Sequence, residues 1–258
     1  MEPGRTPYDV NFRLLGFPVR IHPLFWLAAG LLGADFLQKS VTVWLLWIVV
    51  VFISVLVHEM GHALMFRRYG RRAAIVLYAF GGIAIPDSGV AGRLRRILIA
   101  LAGPLTGFLL AALLFGSNFF THWVSASGLY VSIFYSLLVM TNIYWGIFNL
   151  LPVFPLDGGQ VAKEVCEART PSRGFRISLQ ISVWTAALLA LYSFVCVLEI
   201  QTQRYVLLNY LPGWFPQGGV YTGILFAVLA MQSYQLLQQI GPGRYYFEGP
   251  DDRLPWER

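Results

Sequence analysis

His58 and His62 stand four residues apart, with Glu59 directly after the first, in Val57-His58-Glu59-Met60-Gly61-His62. On a helix, residues four apart share a face, so both imidazoles can reach one metal ion. Glu59 can then face a water on that ion and act as a general base. This is the H-E-x-x-H pattern of metallohydrolases. The chain has 4 His and 13 Asp or Glu in 258 residues. A chance match is therefore rare, on the order of one in a few hundred such sequences. The competing reading is two histidines and a glutamate satisfied inside a helical bundle. It is weak because the motif closes an apolar run, where three such groups without a metal need several partners.

The surrounding composition is that of a membrane. Apolar residues make up 57% of the chain and charged residues only 12%, against about 25% charged in soluble domains. Mean hydropathy is +0.60. Too few charges are present to cover a soluble surface, and the expected class is an all-α polytopic membrane protein with about six transmembrane helices. The apolar segments run approximately from Pro23 to Leu37, Val41 to Phe66, Ile97 to Gly116, Gly128 to Leu151, Ile177 to Ile200 and Val220 to Ile240. The first is short and must tilt or extend into the Lys39 turn. Ahead of it, Phe17-Pro-Val-Arg-Ile-His22 alternates like a short strand. Ala73 to Pro86 is apolar but too short to span, and contains Gly81-Gly82. It is expected to be a short re-entrant or interfacial β segment, tolerable only where protein or a cavity covers it. Gln201 to Gly219 interleaves Tyr205, Tyr210, Trp214 and Phe215 with Pro and Gly, as in an interfacial aromatic belt.

Orientation follows from the basic residues. Of 19 Lys and Arg, only Lys39 and Arg204 fall in the loops after the first, third and fifth segments. The other basic residues lie on the opposite side, which places both termini in the cytoplasm. The net charge of +6 is thereby explained as topology, and no nucleic-acid partner is expected. No cleavable signal is evident. Cys166 and Cys196 provide no disulfide framework and read as free thiols.

A catalytic zinc usually has three protein ligands and one open position, so a third donor is required. His22 begins the first segment, and His122 falls in an outside loop. Both are poor candidates. Asp157 is the best, in Asn149-Leu-Leu-Pro152-Val-Phe-Pro155-Leu-Asp157-Gly158-Gly159. It follows the fourth segment on the cytoplasmic side, where the second segment also ends. Pro152 and Pro155 break the helix and the glycine pair permits a sharp turn, so that the carboxylate can dip toward the metal. Taken alone, Asp157-Gly158 is also an ordinary turn signal.

These two stretches, the H-E-x-x-H run and N-x-x-P-x-x-P-x-D-G-G from Asn149 to Gly159, resemble the site-2 protease family of zinc intramembrane metalloproteases. Gly81-Gly82-Ile83-Ala84, Ala102-Gly103-Pro104 and His22-Pro23 resemble weaker family elements. The resemblance implies one catalytic zinc bound by His58, His62 and Asp157, with Glu59 activating water. Asn149 would hydrogen-bond substrate or oxyanion, its competing role being an interhelical contact. Asn142 reads as such a contact. The expected organisation is one membrane-embedded peptidase domain over 1–258, with a catalytic core at about 41–160, accessory helices at about 177–240 and a cytoplasmic tail at 241–258. No added sensor domain fits, which makes this a compact member.

The implied activity is endoproteolysis in or near the transmembrane segments of membrane-anchored substrates, as in regulated intramembrane proteolysis. The implied setting is a lipid bilayer, compatible with a cell inner membrane; oligomeric state is left open. A strand edge between Ala73 and Pro86 could hold an unwound substrate by strand addition. Two other classes compete. One is a proteolytically silent homologue that binds or chaperones membrane helices, against which the intact Glu59 argues. The other is a transporter, which lacks support because no repeat symmetry is visible.

Overall fold

The computed structural model describes residues 4–79, 81–202 and 219–240. It forms two compact units, 1–150 and 151–258. The aromatic stretch at 203–218 and the tail beyond 240 lie outside the described residues.

The first unit begins with a β-hairpin, β1 (Val10–Leu14) and β2 (Phe17–Ile21), closed by Leu15 and Gly16 at φ 52° and 87°. Positive φ at both positions is the two-residue turn that matches strand twist. β3 (Ala73–Tyr78) pairs parallel to β2, and β4 (Gly81–Pro86) pairs antiparallel to β3, giving the order β1-β2-β3-β4. Phe17, Val19 and Ile21 alternate onto one face with Ala73, Ile75 and Leu77, all buried. They pack in one core with Val51, Val55 and Met60. On β2 the opposite face carries Arg20, paired with Asp9 at 3.1 Å. The Thr6 hydroxyl, 2.6 Å from Asp9, and then Arg20 hold the Asp9 carboxyl below its ordinary range.

Thus the strand expected at Phe17 and the strand pair expected between Ala73 and Pro86 are present, but they belong to one four-stranded sheet. The all-α expectation understates it. The parallel β2–β3 pairing joins residues more than fifty positions apart, which local pattern does not reveal.

The segment expected from Pro23 to Leu37 is two helices, α1 (Pro23–Leu32) and α2 (Ala34–Lys39). At 1.5 Å per residue α1 is about 15 Å long, half of a bilayer core. It breaks at Gly33, where a Cβ would collide with Trp47. The indoles of Trp44 and Trp47 donate to Gly30 O and Ala29 O at 2.9 and 3.0 Å, pinning α1 to the next helix. That helix, α3 (Val41–Arg68), and α4 (Arg93–Thr121) and α5 (Leu129–Asn149) complete the unit.

The second unit holds α6 (Asp157–Arg169), α7 (Gly174–Thr202) and α8 (Val220–Gln239). Small residues line the tight packing here, including Ala186 and Ala190 of α7 and Gly223, against which Phe194 sits. Among the described residues, five helices are long and apolar enough to cross a membrane: α3, α4, α5, α7 and α8. Their bounds follow the expected segments within a few residues. The protein is an integral membrane protein. Cys166 and Cys196 are free, the former on α6 and the latter on α7.

Candidate metal centre

α3 is apolar over most of its length and buries the stretch that carries His58, Glu59 and His62. These side chains are 3%, 5% and 7% exposed. Potential ligand atoms of the three lie within 4.8 Å of one another. The two Nε2 atoms are 3.2 Å apart, and the rings stand nearly perpendicular at 77°. His62 Nδ1 lies 2.7 Å from Ile99 O of α4. A carbonyl only accepts, so Nδ1 carries the hydrogen, and Nε2 of the neutral ring presents a lone pair.

This geometry fits a metal. Two imidazole nitrogens at about 2.0–2.1 Å from a tetrahedral zinc lie about 3.3 Å from each other. The observed Nε2 separation of 3.2 Å matches that spacing. The Nδ1 contact to a backbone carbonyl is the outer partner that orients a metal-binding histidine.

Three glycines bring backbone up to the cluster. A Cβ on Gly103 would collide with His62 Nε2 and come within 2.7 Å of His58 Nε2. A Cβ on Gly61 would strike Ala102 O and Thr106 Oγ1, so Gly61 and Gly103 let α3 and α4 approach closely. Thr106 reinforces the crossing because its hydroxyl, which donates within α4 to Gly103 O at 2.7 Å, also reaches Val57 O of α3 at 3.1 Å. A Cβ on Gly82 would lie 2.8 Å from Glu59 Oε1, so the start of β4 rests directly on the carboxylate. Trp145 of α5 closes another side, edge-on to His58 with ring centroids 6.5 Å apart.

Of the other predicted residues, Asn149 ends α5, is 9% exposed, and donates one amide hydrogen to Trp145 O at 2.8 Å. Asn142 is buried and donates to Ser54 Oγ of α3 at 3.0 Å, an interhelical contact one turn before His58. His22 caps α1, its Nδ1 accepting from Leu24 N at 3.2 Å. His122 caps the far end of α4 and is exposed.

Asp157 belongs to the second unit and is the first residue of α6. The adjoining glycines do not make the sharp turn expected of them. They lie in the first helical turn, and a Cβ on Gly159 would meet the Val153 backbone. The loop before α6 is held by two serines that sequence reading did not single out. Ser182 Oγ accepts from Phe154 N at 2.9 Å, and Ser233 Oγ donates to Phe154 O at 3.2 Å. Buried serines at regular helical spacing on α7 are the signal that could have found the first of them.

The model of Peptidase family M50 matches residues 46–129 and 121–191, more than half of the chain. The chain belongs to peptidase family M50. This M50 chain is 33% identical over 158 residues to a zinc metalloprotease of Methanocaldococcus jannaschii, covering 60% of the chain and 44% of the relative. It is 26% identical over 200 residues to stage IV sporulation protein FB of Bacillus subtilis, covering 75% of the chain and 63% of the relative. It spans about half the length of the curated relatives it matches. The structure resembles the solved site-2 protease from Methanocaldococcus jannaschii with a TM-score of 0.57 at 21% identity, covering 93% of this chain and 100% of that one. The M50 chain therefore has the site-2 protease fold.

The glycine at 103 provides a direct check. Gly103→Ala should push the imidazoles apart and lower bound divalent metal at least tenfold, in keeping with the loss expected when ligand geometry is disturbed. Metal analysis of purified protein measures this; wild-type stoichiometry in the variant would show that the two Nε2 atoms do not bind the ion together.

Proposed function

We propose that this chain is a zinc-dependent intramembrane endopeptidase that hydrolyses peptide bonds in or near the transmembrane segments of membrane-anchored proteins, as in regulated intramembrane proteolysis. The observation that carries this reading is the pair of Nε2 atoms 3.2 Å apart, with the Glu59 carboxylate inside the same buried cluster. His58, His62 and Asp157 form the proposed ligand set. The start of α6 suits Asp157 for it, because free N–H groups at a helix N-terminus favour the ionised carboxylate. Zinc held there supplies Lewis acidity, which acidifies water and polarises a peptide carbonyl.

The chain's own residues do the rest. His62 keeps its Nε2 lone pair because Ile99 O holds the Nδ1 hydrogen. The Glu59 carboxylate takes a proton from the attacking water and returns it to the leaving amine. Asn149 has a second amide hydrogen beyond the one given to Trp145, and in this reading it binds the oxygen of the scissile carbonyl.

β4 is the last strand of its sheet, and we assign it the capture of unwound substrate. Asp87 N donates to Arg72 O at 2.9 Å, continuing the β3–β4 ladder. By alternation Ile83 and Ile85 turn their N–H groups toward β3, while Gly82 and Ala84 turn theirs to the free edge. Pro86 has none and ends it. The hairpin is read as re-entrant and the α1–α2 pair as the sixth passage through the bilayer. Both termini then lie in the cytoplasm, and the enzyme resides in a cell inner membrane.

Purified protein reconstituted in liposomes with a panel of single-span peptides tests the reading. Glu59→Gln should keep its zinc and lose at least about a hundredfold in cleavage rate. A protein that only binds or chaperones helices would function unchanged after that substitution. Asp157→Asn should lower both zinc occupancy and cleavage, and full occupancy with wild-type turnover removes it from the ligand set. Ala84→Pro deletes one outward N–H and leaves the hairpin ladder intact. It should impair cleavage with zinc retained, and unchanged cleavage would rule out strand addition at β4.

A further inference from the structure

Trp145 carries a buried donor that the proposed chemistry has not used. Its indole Nε1 is inaccessible to solvent and has no hydrogen-bond partner among the described residues. The other tryptophans that pack α1 against α3 show the contrast: Trp44 and Trp47 each give their N–H to a backbone carbonyl. A buried unpaired donor costs about 1–3 kcal/mol, and in a native structure it calls for an explanation.

The surroundings supply one. The Trp145 ring stands perpendicular to His58, 83° between planes. Ring atom Cζ2, next to the nitrogen-bearing edge, would be 3.1 Å from a Cβ on Gly81. Gly81 adopts φ 115° and opens β4, and the next residue rests on Glu59. The indole edge therefore lies against Gly81 at the start of β4, with His58 beside the ring and Glu59 under the next residue of the strand. Its main-chain oxygen also holds Asn149. The side chain is fixed by packing on the core beneath the sheet, so the donor is already oriented.

We propose that the Trp145 indole N–H is a substrate-binding donor that takes a backbone carbonyl of the peptide lying along the start of β4. The assignment rests on the peptidase reading above. It adds a contact from near the C-terminal end of α5, outside both metal-binding motifs. Extended peptide presents a carbonyl at every residue, so the contact is indifferent to side-chain identity and demands only that the substrate helix be unwound.

The test uses the full chain with Glu59→Gln, its eight tryptophans labelled with 15N in the indole, and whichever single-span peptide the wild-type protein cleaves. Loss of one resonance in Trp145→Phe assigns the signal. On saturation with peptide the Trp145 indole proton should move downfield. Peptide affinity should fall about two- to tenfold in Trp145→Phe. The same loss is expected with 3-benzothienylalanine at 145, which keeps the shape and replaces N–H by sulfur. In the active background both variants should raise KM with kcat nearly unchanged and zinc content intact.

An unmoved resonance in a saturated sample, or equal affinity in the sulfur isostere, overturns the assignment. Loss of zinc in that isostere also overturns it, because the indole would then be supporting His58. If the wild-type protein cleaves no peptide, the peptidase reading itself fails and this assignment falls with it, an outcome distinct from an active enzyme indifferent to the indole.

Discussion

Two imidazole nitrogens facing each other at 3.2 Å inside a membrane helix form a contact that favours a shared cation. The hydrogen on His62 Nδ1 is committed to Ile99 O, so its Nε2 offers a lone pair toward the other ring. Bringing such groups out of water into an apolar interior is costly unless something polar binds them. Much of the first unit reads as a device for keeping this pair in place. α4 presses its backbone against the pair at Gly103, α3 admits α4 at Gly61, and Thr106 stitches the crossing with its hydroxyl. Pro104, buried in α4, follows Gly103 directly. It lacks an N–H and locally weakens the helix ladder next to the place where Ile99 O serves His62.

The same economy of backbone governs the polar groups elsewhere. In the first unit, Asn142 spends its amide on Ser54 Oγ and Leu138 O, binding α5 to the α3 face that one turn later presents His58. In the second unit, the loop that precedes Asp157 would expose amides and carbonyls to an apolar interior. Ser182 and Ser233 satisfy Phe154 on both sides. In hydrocarbon, irregular backbone is tolerated only with such partners. Each unit thus carries its own polar clamps on its helices and loops.

The legible part of this molecule was the part written in local pattern. Long apolar runs gave five helices to within a few residues, and the spacing of His58, Glu59 and His62 gave the buried cluster, because one turn of helix fixes both. Less legible were features set by strand pairing and packing rather than by a residue's own local pattern. Val10 to Leu14 is mostly exposed, so its strand is fixed by pairing with β2. Gly33 sits in an apolar run, and only Trp47 on α3 explains why no larger residue fits at the break between α1 and α2. Gly158-Gly159 reads locally as a turn signal, yet these glycines lie in the first turn of α6, where Gly159 lets it approach the Val153 backbone. Trp145 was invisible for a different reason. An aromatic in an apolar helix is ordinarily a packing or lipid-facing residue, and only the neighbours of its nitrogen distinguish it.

The glycine pair at 81 and 82 links the sheet to the chemistry through a distance. Without a Cβ at 82, the strand backbone lies in van der Waals contact with the Glu59 carboxylate. Any peptide added to the free edge of β4 would run about 4.8 Å from that backbone, the ordinary spacing between strands. The fold would then set how far an added strand lies from β4, whatever side chains the substrate carries. A side chain at 82 would push either the base or the strand away. On the proposed reading, the sequence tolerance of the enzyme and the requirement for glycine at 82 both follow from main-chain contacts at β4, and recognition is left to the unwinding of the substrate.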